Sequence, residues 1–402
     1  MVAAVGSGMT MPFFVVYLHR VRGISLLAAG LALAMIAIAS FAGNLIGGSL
    51  SDRIGSRRTL MIGLVTGAAG ASWFAFVHSA AEAFGAAAVI GLGASISWPA
   101  ADSLLASVVG EGRRSAAFAL RHATMNLGFG IGAVTAAGIV SFGSPGSFEL
   151  LYLVDAATFL AFIPLLAALT GAGNPVEPDE RSRGGYREVL ADRTFLAVWA
   201  MTAVLVMIGY AQYEAAIPQY ATGTGGISAH ALGFVFAANT LSVAVLQLIV
   251  LRLLARRRRT TALIVAAAML CCAWSAAIAA AHVGGGVAAV VGFACAMAVL
   301  AVFETLLSPV LAPIVNDLAP ERLRGRYNGV FILAYTTGFA TGPALAGAGL
   351  GIGDGTPFFG FLVAAAAVAV VAAFALRRRL PTSVDMIEPE RFATPVLQPE
   401  IA

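Results

Sequence analysis

The sequence predicts an all-α polytopic membrane protein with twelve transmembrane helices in two six-helix repeats. Three observations lead there. Hydrophobic residues make up 59% of the 402-residue chain and charged residues 11%, so most of its length belongs in lipid rather than around a water-facing core. Apolar stretches long enough to cross a bilayer recur from one end to the other. The two halves also repeat one another. Gly23-Ile24-Ser25 and Gly30 return 203 residues later as Gly226-Ile227-Ser228 and Gly233. At an offset of 210, Pro99 matches Pro309, Arg114 matches Arg324, and Gly128, Phe129 and Gly132 match Gly338, Phe339 and Gly342.

The first half is read as residues 1–170, with spans at 2–18, 26–50, 59–77, 83–107, 116–140 and 150–170. Only 22 residues precede Gly23, whereas the seventh span opens about 33 residues before Gly226. The first helix is therefore expected to be truncated, with a native start upstream of Met1. Nothing in it has the basic and small-residue pattern of a signal peptide. The longest polar interruption, 171–192, carries Pro, Gly and mixed charge and reads as a cytoplasmic linker ending in a short surface helix. The second half, 193–376, holds spans at 194–216, 230–251, 261–281, 287–315, 327–350 and 357–376, and 377–402 reads as a cytoplasmic tail.

Orientation follows from arginine, because the chain has no lysine and all 24 basic residues are arginines. With both termini on one side, that side takes every arginine except Arg20, Arg22 and the intrahelical Arg121. Both termini are therefore expected in the cytoplasm, in a multi-pass protein of the cell inner (plasma) membrane. The Arg256 to Arg259 run serves as an inward anchor after the eighth span, not as a nucleic-acid patch. Cys271, Cys272 and Cys295 lie in apolar segments without metal-ligand spacing, and the five histidines are scattered. Neither a metal, a cofactor nor an enzymatic centre is expected.

Between the second and third spans lies a glycine-spaced cluster of charge, Gly48-Ser49-Leu50-Ser51-Asp52-Arg53-Ile54-Gly55-Ser56-Arg57-Arg58. Gly48 allows two helices to approach, Gly55 permits a turn, and Asp52 can accept from the N–H groups opening the next helix. Arg53 and Arg57 can pair with Asp52 or with helix C-termini, which makes the cluster a candidate cytoplasmic gate. The segment resembles the loop between helices 2 and 3 of the major facilitator superfamily, G-x-L-x-D-R-x-G-R-K/R, with Ser56 where a first basic residue is usual. That resemblance implies alternating access of two six-helix halves about a central cavity. It also implies that helices 1, 4, 7 and 10 line the cavity, and that the 2–3 loop meets the start of helix 11 when the inner gate is shut. The family's antiporter signature is degraded on helix 5 to Gly128, Gly132, Ala133, Ala136 and Ala137, while helix 11 keeps Gly338, Gly342, Pro343 and Gly347. The arginine of its helix 4 proton relay would fall at Ala87, so any proton coupling must use other groups.

Those groups are sought among polar residues that lipid would exclude. A charge near the bilayer centre costs about 2.5 to 3.5 kcal/mol on insertion scales. Asp102, Arg121, Asp155, Glu214 and Glu304 qualify. Asp102 and Arg121 are equidistant from the centre of the 4–5 loop and should form an ion pair at equal depth. Asp155 reads as scaffold, and Glu214 falls near the outer end of helix 7. Glu304, near the midplane, is the preferred proton-coupling residue, with Asp102, Arg121 and Glu214 as further candidates. Ser308, Asn126, Asn239 and Tyr335 are expected to complete a polar cavity lining, with Trp98 as an aromatic wall. A mostly apolar cavity with few hydrogen-bonding groups suits a lipophilic or amphipathic solute. The expected function is therefore proton-coupled efflux by a monomer whose partners are its substrate, protons and the lipid bilayer. The alternative is uptake of a small metabolite.

Overall fold

The computed structural model describes residues 2–109, 114–141, 143–169, 186–254, 257–320 and 323–386. Within them, helices follow one another as the hydropathy predicts. They are α1 (Val2–Val21), α2 (Leu26–Ile54), α3 (Ser56–Ala75), α4 (Ala80–Val108), α5 (Arg114–Ile139), α6 (Pro145–Ala168), α7 (Arg193–Ala215), α8 (Ala229–Leu254), α9 (Arg259–Ala281), α10 (Gly286–Leu318), α11 (Arg324–Gly349) and α12 (Thr356–Arg377). Ten of these contain a segment long and apolar enough to cross a membrane. In α3 and α5, glycines, hydroxyls and arginines dilute the hydropathy without shortening the helix.

Local chemistry sets the ends. Ser25 and Ser79 accept from the N–H of Ala28 and Glu82 and cap α2 and α4, while Asp192 accepts from Thr194 and Phe195 and caps α7. Pro145, in the first turn of α6, starts that helix five residues before the expected position 150, since a proline costs nothing where the N–H has no partner. A larger departure concerns α7. It does not end near 216 but resumes after Ala216, with Pro218 in its new first turn, and runs on as Ile217–Gly223. Of the expected linker, residues 171–185 lie outside the described residues, and its end is the short helix Tyr186–Ala191.

The repeat is visible in packing. In the first half α2 packs on α4, α3 on α4 and α6, and α1 on α5 and α6. In the second half α8 packs on α10, α9 on α10 and α12, and α7 on α11 and α12. Two seams join the halves, α2 against α11 and α5 against α8. Each closes where a glycine removes a side chain. A Cβ on Gly30 would strike Pro343 O and come within 3.1 Å of Gly347 Cα. A Cβ on Gly233 would come within 2.6 Å of Ala133 O. Gly30 and Gly233 are repeat mates, and so are Ala133 and Pro343, so one contact is made twice by symmetry. His230 adds to the second seam by donating from Nδ1 to Ala137 O.

Both glycines are the fifth residues of their helices, so the halves are tied at the end opposite the arginine-rich loops. At the arginine-rich end the tail folds back. The short helix Thr382–Asp385 brings the buried Asp385 carboxylate to Thr260, accepting from its N–H at 2.8 Å and its hydroxyl at 2.9 Å. Beside it Arg259 donates to Asp317 at 2.7 Å and to Val384 O at 2.6 Å. The start of α9, the end of α10 and the chain beyond α12 are thus joined, and the structured chain reaches past the expected boundary at 376.

Candidate functional site

A cavity of about 250 Å³ lies between α1, α2, α7 and α11. Its wall is mostly apolar, with Met11, Leu33, Ile36, Ile332, Phe339 and Pro343, and its polar members are Ser40, Glu214, Tyr335 and Thr336. Irregular backbone borders it on two sides. In α1 a 3₁₀ turn, Met11–Phe13, surrounds Pro12. In α7 a π turn spans Val206–Tyr210 and advances the following side chains by about 100° around the axis. The buried Gln212 steadies this turn, donating through Nε2 to Met207 O at 2.7 Å and to Gly342 O, next to Pro343, at 3.1 Å.

Glu214 projects into this cavity at a depth the sequence reading placed further out. The reason is the continuation of α7 as Ile217–Gly223, which adds about 10 Å of helix beyond it. Glu304 lies behind the wall rather than in it. Its Oε1 accepts from Asn239 Nδ2 at 3.1 Å, and the same amide donates to Met297 O at 3.2 Å. Tyr210 bridges the two regions. Its ring lies 5.5 Å from Phe303 and 6.4 Å from Phe339, and its hydroxyl donates to the backbone oxygen of Glu304 at 3.3 Å. Tyr213, stacked edge-on against Phe236 at 4.6 Å, reaches Thr240. Glu214 and Glu304 are within electrostatic range of each other. Sequence reasoning missed Tyr210 and Tyr213, although the run Tyr210-Ala211-Gln212-Tyr213-Glu214 is a dense polar patch inside an apolar span.

The expected single polar lining is instead three separate groups. Tyr335 and Glu214 meet at the cavity, and Asn239 serves Glu304. The third group, in the first half, is Asp102, Arg121 and Trp98. There Arg121 Nη1 donates to Asp102 Oδ1, and its guanidinium lies 5.0 Å above the ring of Trp98, which is 53% exposed. Asn126 is half-buried on α5. The side chain of Ser308 lies outside the described residues. Asp155 is buried between α1 and α6, where Thr10 donates to it at 2.9 Å and Ser7 at 3.4 Å, tying the two helices together.

The gate residues divide in a similar way. Gly55 takes φ +88° at the junction of α2 and α3, as a turn requires. Gly48 departs from its expected role, since a Cβ there would meet nothing within 4 Å. Close approach belongs instead to Gly43 and Gly47, which pack on Ser95 and Ile96 of α4. Arg57 donates to Leu169 O at 2.7 Å and Ala167 O at 3.3 Å, at the C-terminus of α6 in its own half. Arg53 is exposed, and the Asp52 side chain is outside the described residues. Among the described residues no group of His, Cys, Asp and Glu could hold a metal ion.

Comparison with known proteins agrees with this architecture. The profile of the Major Facilitator Superfamily matches residues 1–304 and 226–399. An uncharacterized MFS-type transporter of Bacillus subtilis, YttB, is 26% identical over 344 residues, covering 85% of this chain and 84% of that protein. A Na(+), Li(+), K(+)/H(+) antiporter of Planococcus maritimus is 27% identical over 83% of this chain and 84% of its own. A multidrug resistance protein of Aeromonas hydrophila, MdtH, is 28% identical over 45% of this chain and 43% of its own. Among solved structures, the nucleoside transporter NupG superimposes with a TM-score of 0.76 at 12% identity, over 93% of this chain and 98% of that one. A peptide transporter, POT, gives 0.74 at 18% identity over 94% and 92%. At such identities the structural likeness concerns the fold.

Proposed function

The chain belongs to the major facilitator superfamily, and on that footing we propose that it is a proton-coupled secondary transporter exporting lipophilic or amphipathic small molecules by alternating access. The observation that carries the reading is the carboxyl pair in the second half. Glu304 is held by the Asn239 amide, and Glu214 sits in the wall of an otherwise apolar cavity within its electrostatic range. A carboxyl such as Glu304, with one neutral donor, tolerates both protonation states better than one locked to arginine, so it can load and release a proton as the cavity changes sides. With the arginine-rich loops cytoplasmic by the positive-inside rule, the seams at Gly30 and Gly233 close the outer side. The structure is then an inward-facing state. Trp98, Asp102 and Arg121, on the cytoplasmic side of the first half, would lie near the entry route. The antiporter and multidrug-resistance relatives support export.

Inverted membrane vesicles containing the protein should accumulate a lipophilic dye when their lumen is acid. Glu304→Gln should abolish that accumulation and leave the melting temperature near that of the native chain. Accumulation that ignores both the protein and the pH gradient would overturn the reading.

A further inference from the structure

We infer that the cavity between α1, α2, α7 and α11 is a binding site for a monovalent organic cation, with the Glu214 carboxylate as its counter-charge and the rings of Tyr335 and Phe339 as its walls. The inference rests on the transport reading above and names the substrate class for that site.

The chemistry of the wall supports it in three steps. No basic side chain lines the cavity among the described residues, so Glu214 has no protein counter-charge there. No hydrogen bond to its carboxylate is made within the described residues either, unlike Glu304, which has the Asn239 amide. A carboxylate in such surroundings is satisfied by a group that brings positive charge. The other polar atoms of the wall point the same way. Ser40 spends its proton on Gly91 O at 3.2 Å and Thr336 spends its own on Ile332 O at 3.3 Å, so both hydroxyls keep only acceptor capacity. A solute needing donors, such as an anion, finds only the Tyr335 hydroxyl. The aromatic surface completes the fit, since a cation above a ring face is attracted by the ring quadrupole and its apolar substituents are content against Leu33, Ile36 and Ile332.

The two carboxyls therefore divide the work. Glu214 meets the cargo at the wall, and Glu304, behind Tyr210 and bonded by Asn239, is left for the proton. The π turn at Val206–Tyr210 underlies this division by setting the direction in which Glu214 points.

The test uses the full chain in lipid nanodiscs, with radiolabelled benzyltrimethylammonium as the probe and its uncharged carbon isostere, neopentylbenzene, as competitor. Saturable binding of the cation is expected, with little displacement by the neutral compound. Glu214→Gln should weaken binding about tenfold or more. Glu214→Asp keeps the charge and should bind better than Glu214→Gln, which separates a lost counter-charge from a damaged fold. Equal displacement by neopentylbenzene, native affinity in Glu214→Gln, or no saturable binding would each overturn the inference. Its failure is distinguishable from that of the export reading. Glu214-dependent binding without gradient-driven transport would sink export and keep the site. Gradient-driven transport that survives Glu214→Gln would do the reverse.

Discussion

Substituting Gly30 by alanine tests whether the two halves rock about the seams seen here. A Cβ at that position would strike Pro343 O and lie 3.1 Å from Gly347 Cα. Carbon atoms prefer about 3.5–4.0 Å, so α2 and α11 must part by something near 1 Å at that end. Backbone atoms on both sides leave no flexible side chain to yield. Overpacking of this kind costs about 1–3 kcal/mol. The cost falls only on the state in which the seam is closed. The equilibrium should therefore move about 5- to 150-fold toward the state in which these ends are apart and the arginine-rich ends are together. Spin labels at Val108 and Leu253, exposed at the arginine-rich ends of α4 and α8, report this by pulsed electron resonance. The three native cysteines, Cys271, Cys272 and Cys295, would be replaced first. The distance distribution should shorten in Gly30→Ala and in its repeat mate Gly233→Ala. Gly48→Ala is the counterpart, because a Cβ there meets nothing in this state. It should leave the distribution unchanged or lengthen it, by hindering closure at the arginine-rich end. Unchanged distances and turnover in Gly30→Ala would refute rocking about this seam, and a shift of the same sign in Gly48→Ala would refute its polarity.

Other outcomes follow from single contacts. Arg121→Ala and Asp102→Asn should each lower transport, while the charge-swapped double variant recovers part of it. Because this pair is partly exposed, the thermal stability of the single variants should change by no more than about 1 kcal/mol; a fully active Arg121→Ala would end any role for the pair in the transport cycle. Asp385→Ala removes two hydrogen bonds at the start of α9 and should cost about 2 kcal/mol by thermal unfolding in detergent, an expectation that an unchanged melting temperature would defeat. His230→Ala loses the hydrogen bond to Ala137 O and should shift the labelled distances in the direction of Gly30→Ala by a smaller amount, on the order of 1 kcal/mol or about fivefold. A shift larger than that of Gly30→Ala would mean that steric contact does not dominate the seams.

The spans were legible because hydropathy and length constrain a lipid-buried helix more tightly than any water-soluble one, and the fold class followed from them. The repeat was legible too, and the structure adds why its glycines recur: Gly30 and Gly233 make the same interhelical contact from opposite halves. Side-chain geometry was less accessible. Depth along α7 was misjudged because its span was ended at 216, whereas the helix resumes with Pro218 in a new first turn. Gly48 was read as a close-contact glycine from its motif, but contact depends on which end of the molecule is shut. Tyr210 and Tyr213 were passed over because Glu214 beside them was placed near the outer end of its helix, away from the midplane where a polar lining is sought. Asp385 could not have been paired with Thr260 at all, since nothing in a sequence of this length signals one contact across 125 positions.

That last pairing bears on how the protein is made. The first turn of α9 waits for its acceptor until the chain beyond α12 has been synthesised. The capping contact thus forms only after α12 has been made, because it depends on a residue that follows that helix. A product released early, even one retaining all its spans, would carry an unfinished α9 terminus facing the aqueous side. Synthesis of the segment beyond α12 and completion of the second bundle are then coupled through one carboxylate.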